Sequence, residues 1–130
     1  MKTIHAMQHL FKILTDFETT FENIHQISFN EAMALYTLKG QRTRMTATHL
    51  ASQTHRSPSH TSKILRLLEE KGLIVRTLDT KDRRRMYFHL SQAGQERISE
   101  LEEKQIEMPD ILKCIIENIP PEAYTYHSKH

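Results

Sequence analysis

A mainly α-helical fold with one small β-hairpin is what these 130 residues predict. Two observations carry that expectation. Apolar residues recur at gaps of three and four through most of the chain, and they alternate at period two only between Leu73 and Leu90. Val75 is the only valine, so strand-forming material is thin elsewhere.

The elements follow in order. Ile4, Met7, Phe11, Leu14, Phe17, Phe21 and Ile24 make one apolar stripe along a first helix. Ser28 is expected to open a second helix, with Glu31 three residues later as in a capping box. Ala32, Leu35, Tyr36 and Leu38 would line its inner face, and Gly40 stands where a left-handed cap would close it. Arg42 to Met45 suggests a short strand. Thr46 should cap a short third helix holding Ala47, Leu50 and Ala51.

The fourth helix has the clearest bounds. Ser57 is a good N-cap, and Pro58 at the first helical position needs no amide partner. Ile64, Leu65 and Leu68 supply its buried side. Gly72 ends it, with Leu73 placed to touch Leu68. Then Leu73, Val75 and Thr77 are expected on one side of a strand, and Met86, Phe88 and Leu90 alternate with Tyr87 and His89 on the next. Asp79 to Arg85 forms a charged tip between them. Ser91 should cap a fifth helix bearing Ile98, Leu101 and Ile106. Pro109 is expected to kink or break it near Met108. Ile111, Leu112, Ile115, Ile116 and Ile119 make a last apolar stretch before Pro120-Pro121 and a polar tail.

Composition excludes more than it assigns. Hydrophobic residues at 38% and charged residues at 26% keep the chain globular rather than disordered. No apolar run approaches the ~20 residues of a membrane span. Cys114 is the single cysteine, which precludes an internal disulfide and points to a cytoplasmic protein. Three glycines and no paired cysteines leave little material for phosphate loops or zinc modules. No nucleophile elbow or metalloprotease motif is present, so no catalytic residue and no cofactor is expected.

The net charge of +2 hides a segregation. Residues 41–90 carry eleven Lys/Arg against four Asp/Glu, or +7, while residues 1–40 and 91–130 carry −1 and −4. A basic centre on an acidic scaffold suits a polyanion-binding surface. A short helix, a tight turn, a well-capped helix and a basic-tipped hairpin are the order of a winged helix-turn-helix. In that arrangement the fourth helix enters the major groove of double-stranded DNA. Ser57, Ser59, His60, Thr61, Ser62, Lys63 and Arg66 are then its candidate contacts. Lys81, Asp82, Arg83, Arg84 and Arg85 are those of the wing.

Residues from about Ser28 to Glu103 resemble the MarR family of bacterial transcriptional regulators. The most specific part is LEEKGLIVR, then the Asp82-Arg83-Arg84 wing, then LSQAG. The resemblance implies a winged helix-turn-helix with flanking dimerisation helices, acting as a homodimeric, ligand-responsive repressor on a pseudo-palindromic operator. It also implies that Asp82 and Arg84 pair to shape the wing. A small-molecule effector would sit between the dimerisation helices and the lobe, near Phe11, Phe17, Phe21, Met33 and Tyr36.

The chain departs from the family pattern in three places. His55 replaces the usual glycine after the short helix. Thr54, Arg56 and Thr61 are more polar than usual there. The ending PPEAYTYHSKH suggests a shortened last helix. The implied organisation is one domain in four stretches: dimerisation helix 1–27, winged lobe 28–91, dimerisation region 92–119, and polar tail 120–130.

Two other function classes compete. One is a winged protein-interaction module that binds no DNA. The other is a metal- or redox-responsive regulator using histidines or Cys114. His5 and His9 share a helix face, but nothing completes a ligand set. Cys114 among isoleucines is expected to be buried and inert.

Overall fold

The computed structural model describes residues 1–41, 44–104 and 106–124. They form α1 (Lys2–His25), α2 (Phe29–Gly40), α3 (Ala47–Thr54), α4 (Pro58–Glu70), β1 (Ile74–Leu78), β2 (Met86–Leu90), α5 (Gln92–Glu103) and α6 (Asp110–Glu117), then a 3-10 turn over Pro121–Tyr124. The mainly helical class with one antiparallel hairpin is as expected.

The chain divides into two compact units: residues 30–104, and residues 1–29 with the described residues 106–124. This places α5 with the winged lobe, whereas the sequence had grouped residues 92–119 as one region. The reason is a tight junction. Ser91 Oγ accepts the Gly94 amide at 3.0 Å as N-cap of α5 and donates to the Gly72 carbonyl at 2.6 Å. The Ser91 amide donates to the Leu73 carbonyl at 3.0 Å. The start of α5 is thereby stapled to the turn after α4.

That turn closes as its residues require. Gly72 is left-handed, at φ 74°. Its amide donates to Glu69 O at 2.9 Å, and the Leu73 amide donates to Leu68 O at 3.0 Å. Thr46 and Ser57 cap α3 and α4, each accepting an amide three residues on at 3.1 Å. Leu35 of α2, Leu50 of α3, Leu65 and Leu68 of α4, Phe88 of β2 and Ile98 of α5 are buried as the lobe's core. Ala51 is buried too, at the small-residue approach of α3 to α4.

Two expectations are corrected in this unit, and a third falls partly outside the described residues. Gly40 ends α2 without a positive φ, so it is no left-handed cap. On β1, Ile74 faces inward and Val75 and Thr77 face out. Leu73 is buried as part of the preceding turn, so the strand's inner register begins one residue later than the alternation suggested. In the expected Arg42–Met45 strand, Met45 makes a single bridge to Phe88, and Arg42 and Thr43 lie outside the described residues. Glu31 is buried, and Lys71 Nζ lies 2.7 Å from its carboxylate, joining the start of α2 to the end of α4. Lys71→Met is expected to cost about 1–3 kcal/mol, because it leaves a buried carboxylate without its cation. Chemical denaturation measures this, and an unchanged midpoint would reject the pairing as a stabilising contact.

His55 takes the left-handed position at φ 56°, where glycine is usual. A Cβ in that region costs about 1–2 kcal/mol. Glycine would lose more chain entropy on folding. His55→Gly is therefore expected to stabilise by a net of about 0.5–1 kcal/mol. A thermal midpoint that falls would show that the histidine side chain contributes more than its backbone costs.

In the second unit, α1 ends at Gln26, left-handed at φ 60°. Phe21 stacks near His25 with centroids 4.5 Å apart and meets Phe29 edge-on at 5.2 Å; Phe17 meets Phe29 at 5.8 Å. The break expected near Met108 falls earlier: α5 stops at Glu103 with Lys104 already non-helical, and Pro109 stands instead at the N-cap of α6, which starts at Asp110. Ile4, Met7, Phe11 and Leu14 of α1 and Ile111, Ile115 and Ile116 of α6 are exposed. Cys114 is also exposed, contrary to expectation, because Leu112 is the buried position of α6. From residue 125 the polar tail lies outside the described residues. Among the described residues no helix is long and apolar enough to cross a membrane, and no cluster of metal-ligating side chains occurs.

Candidate nucleic-acid interface

The start of α4 is a well-formed helix end. Ser57 and Pro58 leave the first-turn amides near a positive dipole end, a local field that favours phosphate. Ser57, Ser59, Ser62, Lys63 and Arg66 are exposed. Thr61 is not: it is 3% exposed, on the same face as Ile64, Leu65 and Leu68. Its spacing from those residues (three, four and seven) is that of one helix face, so it is withdrawn from the groove-facing set. His60 is half-buried. His60 and Thr61 line a cavity of about 10 Å³, and His60 Nε2 and Thr61 Oγ1 are buried without a protein hydrogen bond.

The wing is built around two aspartates. Asp82 Oδ1 accepts both the Arg84 amide at 3.1 Å and Arg84 Nε at 3.2 Å, while Arg85 Nε lies 4.0 Å from the other oxygen. Asp79 accepts the Lys81 amide at 2.9 Å and the Tyr87 hydroxyl at 3.3 Å. The Lys81 amide holds the Asp79 carboxyl below its ordinary range, aided by the amide of Asp82, Tyr87 and the charge of Arg44. This contribution is full above the ordinary carboxylate range and fades as pH falls through the lowered value. Lys81, Arg83, Arg84 and Arg85 are exposed, with the Arg84 side chain 92% accessible.

The MarR family model matches residues 25–85. Over that stretch the chain is similar to the MarR family. No curated protein is significantly similar to the chain. Solved MarR-type structures share its fold. The S. aureus MepR–DNA complex aligns with TM-score 0.66 at 20% identity, covering 88% of this chain and 85% of that one. YusO from Bacillus subtilis aligns with TM-score 0.62 at 21% identity, covering 93% and 83%. A MepR-like protein complexed with pseudoligands aligns with TM-score 0.72 at 18% identity, covering 94% and 84%. At such identities the similarity is one of fold.

Within the matched stretch, sequence reasoning missed several working residues. Arg76 makes a two-pronged pair with Glu69, Nη2 to Oε1 at 2.8 Å and Nε to Oε2 at 3.1 Å, fastening β1 to the end of α4. That spends Arg76 within the fold. Arg44 lies over the Tyr87 ring at 5.1 Å and is exposed, adding a cation at the base of the wing. Arg56 donates to Asn30 Oδ1, tying the turn before α4 back to α2.

The residues expected around an effector divide between the units. Phe11 is exposed, and Phe17 and Phe21 are half-buried among neighbouring rings. On α2, Met33 is half-buried beside the small cavity and Tyr36 is exposed. Burial, reinforced by Glu102, pushes the Tyr36 phenol up.

Proposed function

We propose that the protein is a homodimeric, sequence-specific DNA-binding transcription regulator, acting as a ligand-responsive repressor on a pseudo-palindromic operator. One observation carries this reading. A lobe similar to the MarR family presents an exposed Ser59, Ser62, Lys63, Arg66 face on a capped helix, together with an aspartate-braced wing of four exposed cations. The similarity in fold to a regulator solved on DNA supports it. The exposed isoleucines of α6 and the apolar stripe of α1 supply surface for a second copy of the chain. Both lie outside the unit that carries the basic residues. Two-fold pairing predicts half-sites roughly one helical turn apart, ~34–36 Å.

Selection from a random duplex pool, followed by titration of the selected duplex over a salt series, tests this reading. A pseudo-palindrome is expected, with log K falling by about 0.9 per phosphate neutralised for each unit of log salt. Recovery of no sequence, with no salt-dependent binding, would instead favour a winged protein-interaction module.

A further inference from the structure

His60 and Thr61 turn two polar atoms into the lobe rather than toward solvent. His60 Nε2 and Thr61 Oγ1 are closed to bulk water and have no protein hydrogen bond among the described residues. A buried donor or acceptor left unmet costs its full desolvation. Both residues line one small cavity together with Ala34, Leu50, Thr54 and Ile64. Its volume of about 10 Å³ is the room of one water and of nothing larger. A buried water also needs several polar partners, and this cavity supplies them. Thr54 Oγ1 gives its proton to the Leu50 carbonyl at 2.8 Å, so it has acceptor lone pairs left to offer.

We propose that one water occupies this cavity, bridges Thr61 to His60, and fixes which nitrogen of the His60 ring carries the proton. The Thr61 hydroxyl has one proton and no protein acceptor for it, so the water accepts it. The water's own protons go to the acceptors that remain, His60 Nε2 and Thr54 Oγ1. Which ring nitrogen is protonated follows from the hydrogen bond that the other one makes. With Nε2 accepting, the proton sits on Nδ1. The residue is anchored at its root as well, because the His60 amide donates to Ser57 Oγ at 3.1 Å. Thr61 is thereby a positioning residue for His60. The consequence rests on the proposed DNA-binding reading: His60 meets a base edge as a donor. That suits the acceptors of guanine, adenine N7 or thymine O4, and it excludes cytosine, whose major-groove group is itself a donor.

The test uses the full chain. A crystal structure should show an ordered water within ~3.2 Å of both Nε2 and Oγ1. Ring nitrogen chemical shifts at alkaline pH, with His60 assigned by its loss in His60→Gln, should place the proton on Nδ1, the form that solvated histidine disfavours. Thr61→Val should melt below the wild type, because the water loses its donor, and should release the ring to the form protonated on Nε2. Thr61→Ser keeps the hydroxyl and should hold the proton on Nδ1. A dry, orphaned hydroxyl predicts the reverse: its removal by Thr61→Val would raise the melting temperature. No water at that position, a wild-type ring protonated on Nε2, a Thr61→Val protein that melts no lower than the wild type, or one whose ring keeps its proton on Nδ1 would overturn the proposal.

The consequence is measured on duplexes from the random-pool selection. Cytosine at the operator position whose preference His60→Ala abolishes should weaken wild-type binding about fivefold. The same change should hardly alter binding by Thr61→Val, and the salt slope should be equal in both proteins, since no phosphate contact differs. Equal discrimination by the two proteins, or an operator in which His60→Ala abolishes no preference, would overturn the specificity role. Absence of operator binding by the wild type would overturn the regulator reading and leave the water and the ring proton standing.

Discussion

Replacing Arg83, Arg84 and Arg85 together with alanine is expected to lower operator affinity about a hundredfold at physiological salt while leaving the fold intact. All three side chains are exposed, and their recorded ion pairs are those of Arg84 and Arg85 with Asp82. Such exposed pairs contribute about 0–1 kcal/mol each to folding. The loss should therefore appear in binding and hardly at all in the melting temperature. The salt dependence gives the sharper signature. Each phosphate contact removed lowers the slope of log K against log salt by about 0.9, so three lost contacts lower it by about 2.7. Arg84→Ala alone should account for a disproportionate share, because Asp82 already positions that guanidinium. An unchanged affinity and slope in the triple variant would exclude the wing from the DNA interface.

Gly94→Ala is expected to destabilise the winged lobe by about 3 kcal/mol, at the upper end of the usual cost of overpacking. A Cβ at residue 94 would sit far inside van der Waals contact with the Leu73 carbonyl oxygen, and the backbone carbon of Leu73 would lie only 3.1 Å away. The obstacle is backbone, and that carbonyl also accepts the Ser91 amide. Relief therefore requires α5 and the turn after α4 to part. A fall in melting temperature of roughly 10 °C should result. Gly40→Ala is the control, since a Cβ there meets nothing within 4 Å. A Gly94→Ala protein that melts with the wild type would show that the junction yields without cost.

Features written in local chemistry were legible in the sequence. Ser57 with Pro58, Gly72 with Leu73, and Ser91 each state a helix boundary through a few adjacent residues, and the structure uses all of them. The pairing of Asp82 with Arg84 was implied by resemblance, and their side chains do meet. Long-range pairings were not legible: nothing local in Glu31 foretells Lys71, and nothing beside Arg76 foretells its pair with Glu69. Thr61 was misassigned for a different reason. A hydroxyl among serines suggested the polar face, but helix periodicity sets it with Ile64 and Leu68, and that signal was available. Gly40 and Cys114 were both placed by their immediate neighbours. Neither neighbourhood reveals whether a helix ends in a left-handed turn or which side of α6 meets the rest of its unit.

On the proposed DNA-binding reading, the contact between Asp82 and Arg84 has a consequence for exchange with DNA. A free arginine has up to about 2 kcal/mol of rotamer entropy to lose on docking. Here part of that freedom is already gone, because the guanidinium rests against a carboxylate on its own loop. Docking as proposed would hand one anion's place to another: the carboxylate yields and a phosphate takes over. The same carboxylate waits beside the arginine to reclaim it. In the proposed complex Asp82 would then act on both legs of the cycle, presenting the side chain in the free protein and competing for it on DNA, an arrangement that favours rapid turnover over permanent occupancy.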